Sequence, residues 1–284
     1  GLLVELAHNP PAAAARLDLA RAAADGDRRV RRHAAAVGAA AVDPGVIALS
    51  CGTWHSFNTP VNPGWPVSLV HAGLNVFPHP GPTGFGILVT NPNGMSVIDW
   101  ARDALHLSIA DLDAGLASAG RGPGHVFADP GFTPLPHVAA TPGFGGSLHG
   151  LALATTPVDI VRALLEGVAC RFALTLDLLR ENGIHPTLVR ATGGGAKSAW
   201  WLQLKADVTG IPVEVVAQDE PGAFGAAILA GVGAGVYASV SAAVDALGAA
   251  WGGWSRRDRR AVGGPRDRCR LVRQFVTIQR QCTL

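Results

Sequence analysis

Three consecutive glycines, Gly193 to Gly195, stand between a segment that predicts a strand, Leu188 to Ala191, and a segment that predicts a helix beginning near Ala199. Because glycine has no Cβ, such a turn lets a ligand approach the backbone closely. The N–H groups of the turn and the positive end of the following helix then face that ligand. The chemistry that this spacing suits is the binding of a nucleotide.

The lysine beside this turn does not make it a P-loop. The P-loop template has glycine directly before its lysine, whereas Ala196 precedes Lys197 here. We therefore expect Lys197 to be a solvated residue at the start of the helix.

A dinucleotide-binding fingerprint is the competing interpretation, since Gly193 and Gly195 follow a strand. Its third small position is Ser198 rather than Gly or Ala. The acid that should end the next strand is also displaced, because Glu214 lies inside that strand and Asp219 lies beyond it. These departures disfavour the fingerprint.

A second glycine turn follows the strand predicted for Val46 to Ser50. Gly52 and Thr53 offer backbone N–H groups and one hydroxyl, which are groups that bind phosphate. The residues alone favour an ordinary glycine turn here.

The elements that must position these turns can be read from apolar spacing and from Pro and Gly. The range 54–93 predicts hairpins and loops, 96–107 a helix, and 120–150 a long loop. Thr156, Pro157 and Asp159 predict the capped start of a long helix that stops at Gly183. The helix around Trp201 is followed by a short strand and a helix of small residues, in which Gly225 is expected to allow close helix approach. This order predicts an α/β domain with a mixed sheet.

Several of these segments resemble, in the same order, parts of the FGGY carbohydrate kinases, the family of xylulokinase and glycerol kinase. The matching segments together cover about residues 33 to 250. They are similar to the family's adenosine-binding segment (191–215 with 220–231), to the long helix before it (151–168), to its phosphate-binding hairpin (46–53) and to a helix start that closes over the nucleotide (94–103).

The resemblance implies the C-terminal, actin-like (ribonuclease H-like) lobe, with a mixed sheet flanked by helices. It also implies phosphorylation of a sugar or polyol hydroxyl, with ATP and Mg as cofactors. The implied residues are Gly52 and Thr53 at the phosphates and, around the adenosine, Gly94, Gly193, Gly194, Gly195 and Ala199. No metal-binding residue is implied.

The catalytic base of the family is an Asp in a Gly-x-x-Asp pattern, and the matching position here is Arg32. Arginine cannot accept a proton at physiological pH, so it cannot act as this base. Asp25 and Asp27 are out of register. We expect the chain alone to bind nucleotide weakly and to catalyse little, since the family's sugar-selecting N-terminal lobe is also expected to be missing. The alternative is a non-catalytic actin-like remnant that acts in assembly.

Composition limits the partners. The net charge is +2, but nine Arg stand against two Asp from Ser255 onward. This tail lacks interleaved aromatic residues and follows no nucleic-acid-binding fold, so we expect no nucleic-acid partner.

No apolar run is long enough to span a bilayer and no signal peptide is recognised, so a cytoplasmic protein without a membrane partner is expected. A homodimer is an open expectation.

Two Arg-dense segments, roughly 16–32 and 253–273, stop resembling the family abruptly. In a gene rich in G and C, a shifted reading frame yields many Arg, Ala and Gly codons. We therefore divide the chain into a divergent segment 1–32, a nucleotide-binding domain 33–252 and a divergent tail 253–284, with both flanks hypothesised to be frame-shifted.

Cysteine and histidine suggest no metal site. The four cysteines lack short paired spacing, which favours free thiols over zinc or a disulfide framework. His125, His137 and His149 are evenly spaced, but no carboxylate pattern completes a site.

Overall fold

The computed structural model describes residues 28–64, 68–71, 74–119, 124–133, 145–250 and 255–260, and the statements below concern these residues. Seven strands form one sheet and two form a small separate sheet. The strands are β1 (Val46–Cys51), β2 (His55–Val61), β3 (Asn75–Pro78), β4 (Phe85–Asn91), β5 (Phe127–Asp129), β6 (Ser147–His149), β7 (Leu188–Thr192), β8 (Val213–Val216) and β9 (Ser255–Arg260).

Eight α-helices are described, together with a 3-10 helix at Gly194–Lys197. None of the described helices combines the length and the apolar composition that crossing a membrane requires. The helices are α1 (Arg28–Gly38), α2 (Ser68–His71), α3 (Met95–Ala104), α4 (Ile109–Ser118), α5 (Pro157–Glu181), α6 (Ala199–Thr209), α7 (Pro221–Gly233) and α8 (Val240–Ala250).

The large sheet is mixed, as the sequence predicts. Its strand order is β3-β4-β2-β1-β7-β8-β9. The central strands β1, β7 and β8 are parallel, and their neighbours on both sides pair antiparallel. Because the carboxyl ends of parallel strands meet at one edge, Ser50 of β1 lies in register with Thr192 of β7. This register brings the two glycine turns together.

Helices cover both faces of the sheet. On one face, Ile47 and Leu49 of β1 join the main core with residues of α5 and α6. On the other face, Val37 of α1 packs with Ile228 of α7 and Val244 of α8 in a second core. The predicted α/β class, with a mixed sheet between helices, is confirmed.

The long helix α5 begins as its sequence predicts. Thr156 is the N-cap, Pro157 is the first helical residue, and Asp159 completes a capping box. The helix ends at Glu181, two residues before the predicted stop at Gly183, which has a φ of +78°. Its buried face runs through the middle of the main core and supports α6, since Trp201 Nε1 donates to the Leu165 carbonyl at 3.2 Å.

The small-residue helix α7 packs closely on α1. A Cβ on Gly225 would overlap the carbonyl of Ala34, and a Cβ on Gly38 would overlap the carbonyl of Pro221. The expectation that Gly225 allows close helix approach is confirmed.

The range 120–150 differs from the predicted loop. Residues 120–123 and 134–144 lie outside the described residues, and β5, which precedes the second of these gaps, pairs with β6, which follows it. These strands form because β5 packs on α5: the Arg171 guanidinium pairs with Asp129, and Gly167 leaves room for the Ala128 carbonyl. Three-residue strands held by tertiary contacts leave almost no periodic signal in a sequence.

One expectation about thiols is wrong. Cys51 is a buried free thiol, but Cys170 is disulfide-bonded. Spacing along the chain could not reveal this, because disulfide pairing depends on which residues the fold brings together. Cys269 and Cys282 lie outside the described residues.

Candidate functional site

The glycine turn after β7 packs backbone to backbone against the turn after β1. Gly193 has a φ of +87°, in the left-handed region that favours glycine. A Cβ at this position would lie 3.2 Å from the Cys51 carbonyl oxygen and 3.4 Å from the Gly52 nitrogen. The two predicted turns therefore form one continuous surface at the carboxyl edge of the sheet.

The start of α3 fixes the direction of the peptides in the turn after β1. The amides of Met95 and Ser96 donate to the carbonyls of Gly52 and Thr53, at 3.1 and 3.2 Å. Since all described peptides are trans, the N–H that shares a peptide with each carbonyl points the opposite way. The N–H groups of Thr53 and Trp54 are thus directed away from α3, in an arrangement that suits an anion.

Gly94 packs directly against the backbone of this turn. A Cβ on Gly94 would lie 2.6 Å from the His55 nitrogen and 2.8 Å from the Thr53 carbonyl oxygen. Only glycine allows α3 to start so close to the turn. The structure thus gives Gly94 a packing role, and its contact with a nucleotide stays a prediction.

Gly194 and Gly195 face opposite ways. Gly194 is exposed, and a Cβ there would meet no atom within 4 Å. Gly195 is buried, and a Cβ there would press into the ring of Trp201 and lie 3.0 Å from the Cys51 carbonyl oxygen. The structure thus gives Gly195 a packing role, and its contact with adenosine stays a prediction, whereas the space beside Gly194 is open.

The residues that follow the glycines lie at the start of α6. Lys197 ends the 3-10 helix and is exposed, as predicted. Ser198 is the N-cap of α6, and its hydroxyl accepts from the Trp201 amide. Ala199 is the exposed first residue of the helix, on the same edge as Gly194.

Arg32 lies beside the turn after β1. Its guanidinium carbon is 5.6 Å from the ring centroid of Trp54, which belongs to the turn and is 43% exposed. Its Nη1 donates to Thr90 Oγ1 on β4 at 3.0 Å. The position at which the family resemblance expects a carboxylate base is therefore next to the candidate phosphate turn.

A buried group of ionisable residues beneath the turns was missed from the sequence. Lys205 on α6 is fully buried, and its Nζ lies 2.9 Å from the ring centroid of Trp201. Cys51 and His55, on either side of the turn after β1, are also buried. Burial lowers the pKa of Lys205 to about 7.

The neighbours of Lys205 are held neutral. Burial raises the pKa of the Cys51 thiol, which nearby Lys205 opposes. Burial, and secondly the charge of Lys205, lower the pKa of His55 well below its ordinary value. Helical spacing could have found the lysine: positions 201, 204, 205 and 208 share one face, so Lys205 falls on the stripe predicted to be apolar.

The evenly spaced histidines do not make a metal centre in the part of the chain that the structure describes. His125 Nε2 lies 3.4 Å from Thr155 Oγ1, and His149 Nε2 lies 2.9 Å from Ser147 Oγ. His137 lies outside that part. The described residues contain no group of three His, Cys, Asp or Glu side chains arranged to hold a metal ion.

Comparison with known families identifies the family of this chain. Residues 47–234 match the family model described as the C-terminal domain of the FGGY family of carbohydrate kinases. This chain belongs to that family. The match includes both glycine turns, α3 and the buried group around Lys205.

Curated FGGY relatives match a shorter part of the chain. A glycerol kinase of Coxiella burnetii (strain RSA 493 / Nine Mile phase I) is 35% identical over 140 residues, which are 49% of this chain and 28% of the relative. A xylulose kinase of Staphylococcus epidermidis is 35% identical over 88 residues, which are 31% of this chain and 18% of the relative.

Solved FGGY structures share the fold over most of the chain. The xylulose kinase from Rhodospirillum rubrum has a TM-score of 0.70 at 24% identity, covering 88% of this chain and 49% of its own. The Plasmodium falciparum glycerol kinase with ADP has a TM-score of 0.70 at 20% identity, covering 89% of this chain and 50% of its own. This chain therefore spans about half the length of these kinases.

Proposed function

We propose that this chain binds ATP and ADP at the paired glycine turns, as the nucleotide-binding domain of a kinase that phosphorylates a hydroxyl of a sugar or polyol. The observation that carries the proposal is the shared surface of the two turns. There the amides of Thr53 and Trp54 are directed outward and Gly194 leaves the backbone open. The names of the relatives, glycerol kinase and xylulose kinase, support the sugar or polyol class.

The residues divide between the two parts of the nucleotide. The outward amides around Gly52 and Thr53, with the Thr53 hydroxyl, suit the phosphates because they supply donors and no negative charge. Gly194 and the exposed Ala199 suit the adenosine side, because they leave the backbone open and add no charge. Packing on Gly193 fixes the distance between the two parts.

Magnesium enters this proposal as the counterion of the phosphates. Mg²⁺ usually keeps several waters and is bound through substrate phosphates with one or two carboxylates. Since the described residues form no metal-binding group of three side chains, this part of the chain offers no cage of its own for the ion.

Calorimetry with ADP and MgCl₂ on the full chain tests the proposal. We expect weak binding, and we expect Gly194→Val to lower the affinity at least tenfold because its side chain would occupy the open approach. Gly233→Val is the matched control, since Gly233 also has open space around its Cβ but lies at the end of α7. Absence of ADP binding would overturn the proposed function, and equal affinity of both variants would overturn the role of Gly194.

The full chain is expected to show no sugar kinase turnover, because Arg32 holds the position of the base. Phosphoryl transfer to a hydroxyl needs a group that orients the hydroxyl and accepts its proton. A coupled assay of ADP release with a panel of pentoses, hexoses and polyols measures this. Turnover near the usual enzyme median of about 10 per second with any of them would contradict the expectation.

We further propose that Arg32 results from a reading-frame slip that ends just before His33, and that a second slip begins near Gly252. Helix α1 continues through residue 33, so the slip would lie within one helix. Translation of the other two frames of the DNA immediately upstream of the His33 codon should then yield a Gly-x-x-Asp element. If neither frame contains it, the slip is refuted and Arg32 is a real loss of the base.

A further inference from the structure

Lys205 is an ammonium-bearing side chain buried without the partners that such a group needs. It is 0% exposed, and its Nζ has no hydrogen-bond partner among the described residues. The face of the Trp201 ring lies close to it, 2.9 Å from Nζ to the ring centroid. A cation–π contact stabilises a desolvated ammonium by about 2 kcal/mol or more, which is less than the several kcal/mol that burying an ion costs.

This lysine lies beneath the two glycine turns. The Trp201 ring that covers Nζ is also the group that a Cβ on Gly195 would strike. The same ring lies 5.9 Å from the ring of His55, the residue that follows the turn after β1. The chain of contacts from the turns to Lys205 is therefore continuous and buried.

No acid in the described structure neutralises Lys205. Cys51 on β1 and His55 on β2 are the ionisable groups that interact with it, and both are neutral for the reasons given above. The side chains of β9 lie outside the description. The other charged groups on α6 and the elements around it are engaged elsewhere: Asp207 with Gln203, Glu166 with Arg162, Asp129 with Arg171, Asp177 with Arg180, and Glu214 with Arg190, while Lys197 is exposed.

We propose that the binding of a nucleoside polyphosphate at the turn of Gly52 and Thr53 is coupled to the uptake of one proton by Lys205 Nζ. This inference rests on the proposed function, because it needs a polyphosphate at that turn. The proton comes from the buffer: the neutral amine and the buffer acid become the ammonium ion and the buffer base, with no other bond changed.

The physical reason is the charge that the ligand brings. Without ligand, the lowered pKa of about 7 leaves Lys205 mostly neutral at pH 8. Two or more negative charges at the turn favour the ammonium form through the low-dielectric core, where charges are weakly screened. The bound state then holds the proton that the free state lacks, and affinity falls as the pH rises above 7.

The chain is suited to a direct measurement, because Lys197 and Lys205 are its only lysines. NMR of the full chain with isotopically labelled lysine should show two side-chain signals, and Lys197→Arg assigns them by removing one. We expect the Lys205 signal to titrate near pH 7 without ligand and at least one pH unit higher with saturating Mg·ADP. The signal of the exposed Lys197 serves as the internal reference in both states.

Calorimetry at pH 8 in two buffers of different ionisation enthalpy measures the protons taken up. The second pKa of a phosphate is about 6, so the ligand itself exchanges few protons at this pH. We expect uptake of at least about 0.4 proton per ADP bound in the unaltered chain, which is the difference at pH 8 for a Lys205 pKa that rises from about 7 to 8 or higher. Lys205→Met should still bind ADP, but with no uptake and with an affinity that no longer falls between pH 7 and pH 9.

The outcomes separate the two proposals. If ADP does not bind, the proposed function fails and the coupling fails with it. If ADP binds while the Lys205 signal does not move, or while Lys205→Met takes up as many protons as the unaltered chain, the coupling alone is overturned. An ordinary titration of Lys205 near pH 10 without ligand would also overturn it.

Discussion

The open side and the packed side of the glycine turn place opposite demands on neighbouring residues. A side chain at position 194 would meet open space, whereas a side chain at position 195 would strike the ring of Trp201. The two lysines show the same contrast, since Lys197 is exposed whereas Lys205, which follows it along the chain on α6, is fully buried. One short segment thus combines a surface free for a ligand with a core that supports it and holds an ionisable group.

The contrast separates a glycine that a ligand would require from a glycine that the fold requires. Both kinds look identical in the sequence, as consecutive members of one triplet. Their effects separate in experiment, because a side chain at a packed position changes stability first, whereas a side chain at an open position changes binding alone.

The largest expected effect is on the packed side, in Lys205→Met. At pH 7 this change should raise the free energy of unfolding by roughly 2–4 kcal/mol, because it replaces a buried amine of lowered pKa by an apolar side chain of similar shape. Chemical denaturation of both proteins at pH 7 and pH 10 measures it.

The sign of the pH dependence follows from the pKa of Lys205, which is about 7 in the fold and 10.5 ordinarily. Between these two pH values, Lys205 is protonated in the unfolded chain and neutral in the folded chain. Folding therefore costs the free energy of removing this proton, and this cost falls as the pH rises. The gain from Lys205→Met should therefore be full at or below pH 7 and small near pH 10. Lys197→Met, at an exposed position, should stay within about 0.5 kcal/mol at both values. A gain independent of pH would show that Lys205 is not desolvated.

The next effect compares the two glycines directly. Gly195→Val should lower the free energy of unfolding by about 1–3 kcal/mol, because its side chain would overpack the core at Trp201. Gly194→Val should change stability little, apart from the ordinary effect of a β-branched residue in a helical turn. Thermal unfolding of both variants is the measurement, and equal losses of stability would contradict the assignment of one open and one packed side.

The sequence predicted the framework of the fold well where local patterns are strong. The capping box at Thr156 and Asp159 located the start of α5 to the residue, and the glycines after β1 and β7 marked both turns. The paired strands β5 and β6 could not be predicted, because they are three residues long and depend on contacts with α5.

The candidate site was predictable in its backbone but not in its interior. Glycine triplets and turns are local signals, so the positions of Gly52 and Gly193 follow from the sequence. The buried lysine was missed because Trp201, Leu204 and Val208 suggested an apolar stripe, on which the charge of Lys205 is an exception. Which side of a turn is open depends on the ring of Trp201 beneath it, and no local pattern reports that contact.

The smallest expected effect lies on the open side, at Arg32. Its contact with the half-exposed Trp54 ring is of the kind that stabilises a protein by about 0.5–1 kcal/mol. Its partly buried hydrogen bond reaches the hydroxyl of the buried Thr90, and such a bond contributes about 1 kcal/mol. Arg32→Ala should therefore lower the free energy of unfolding by about 1–2 kcal/mol. It should not weaken ADP binding more than a few-fold, because the outward amides of Thr53 and Trp54 remain in place. Denaturant unfolding and calorimetry measure the two quantities, with Arg102→Ala on α3 as a control that removes an exposed ion pair to Asp99 away from the turn. A tenfold or greater loss of ADP affinity in Arg32→Ala, but not in Arg102→Ala, would show that the guanidinium takes part in binding the phosphates. Arg32 would then belong to the binding surface itself, together with the outward amides of Thr53 and Trp54.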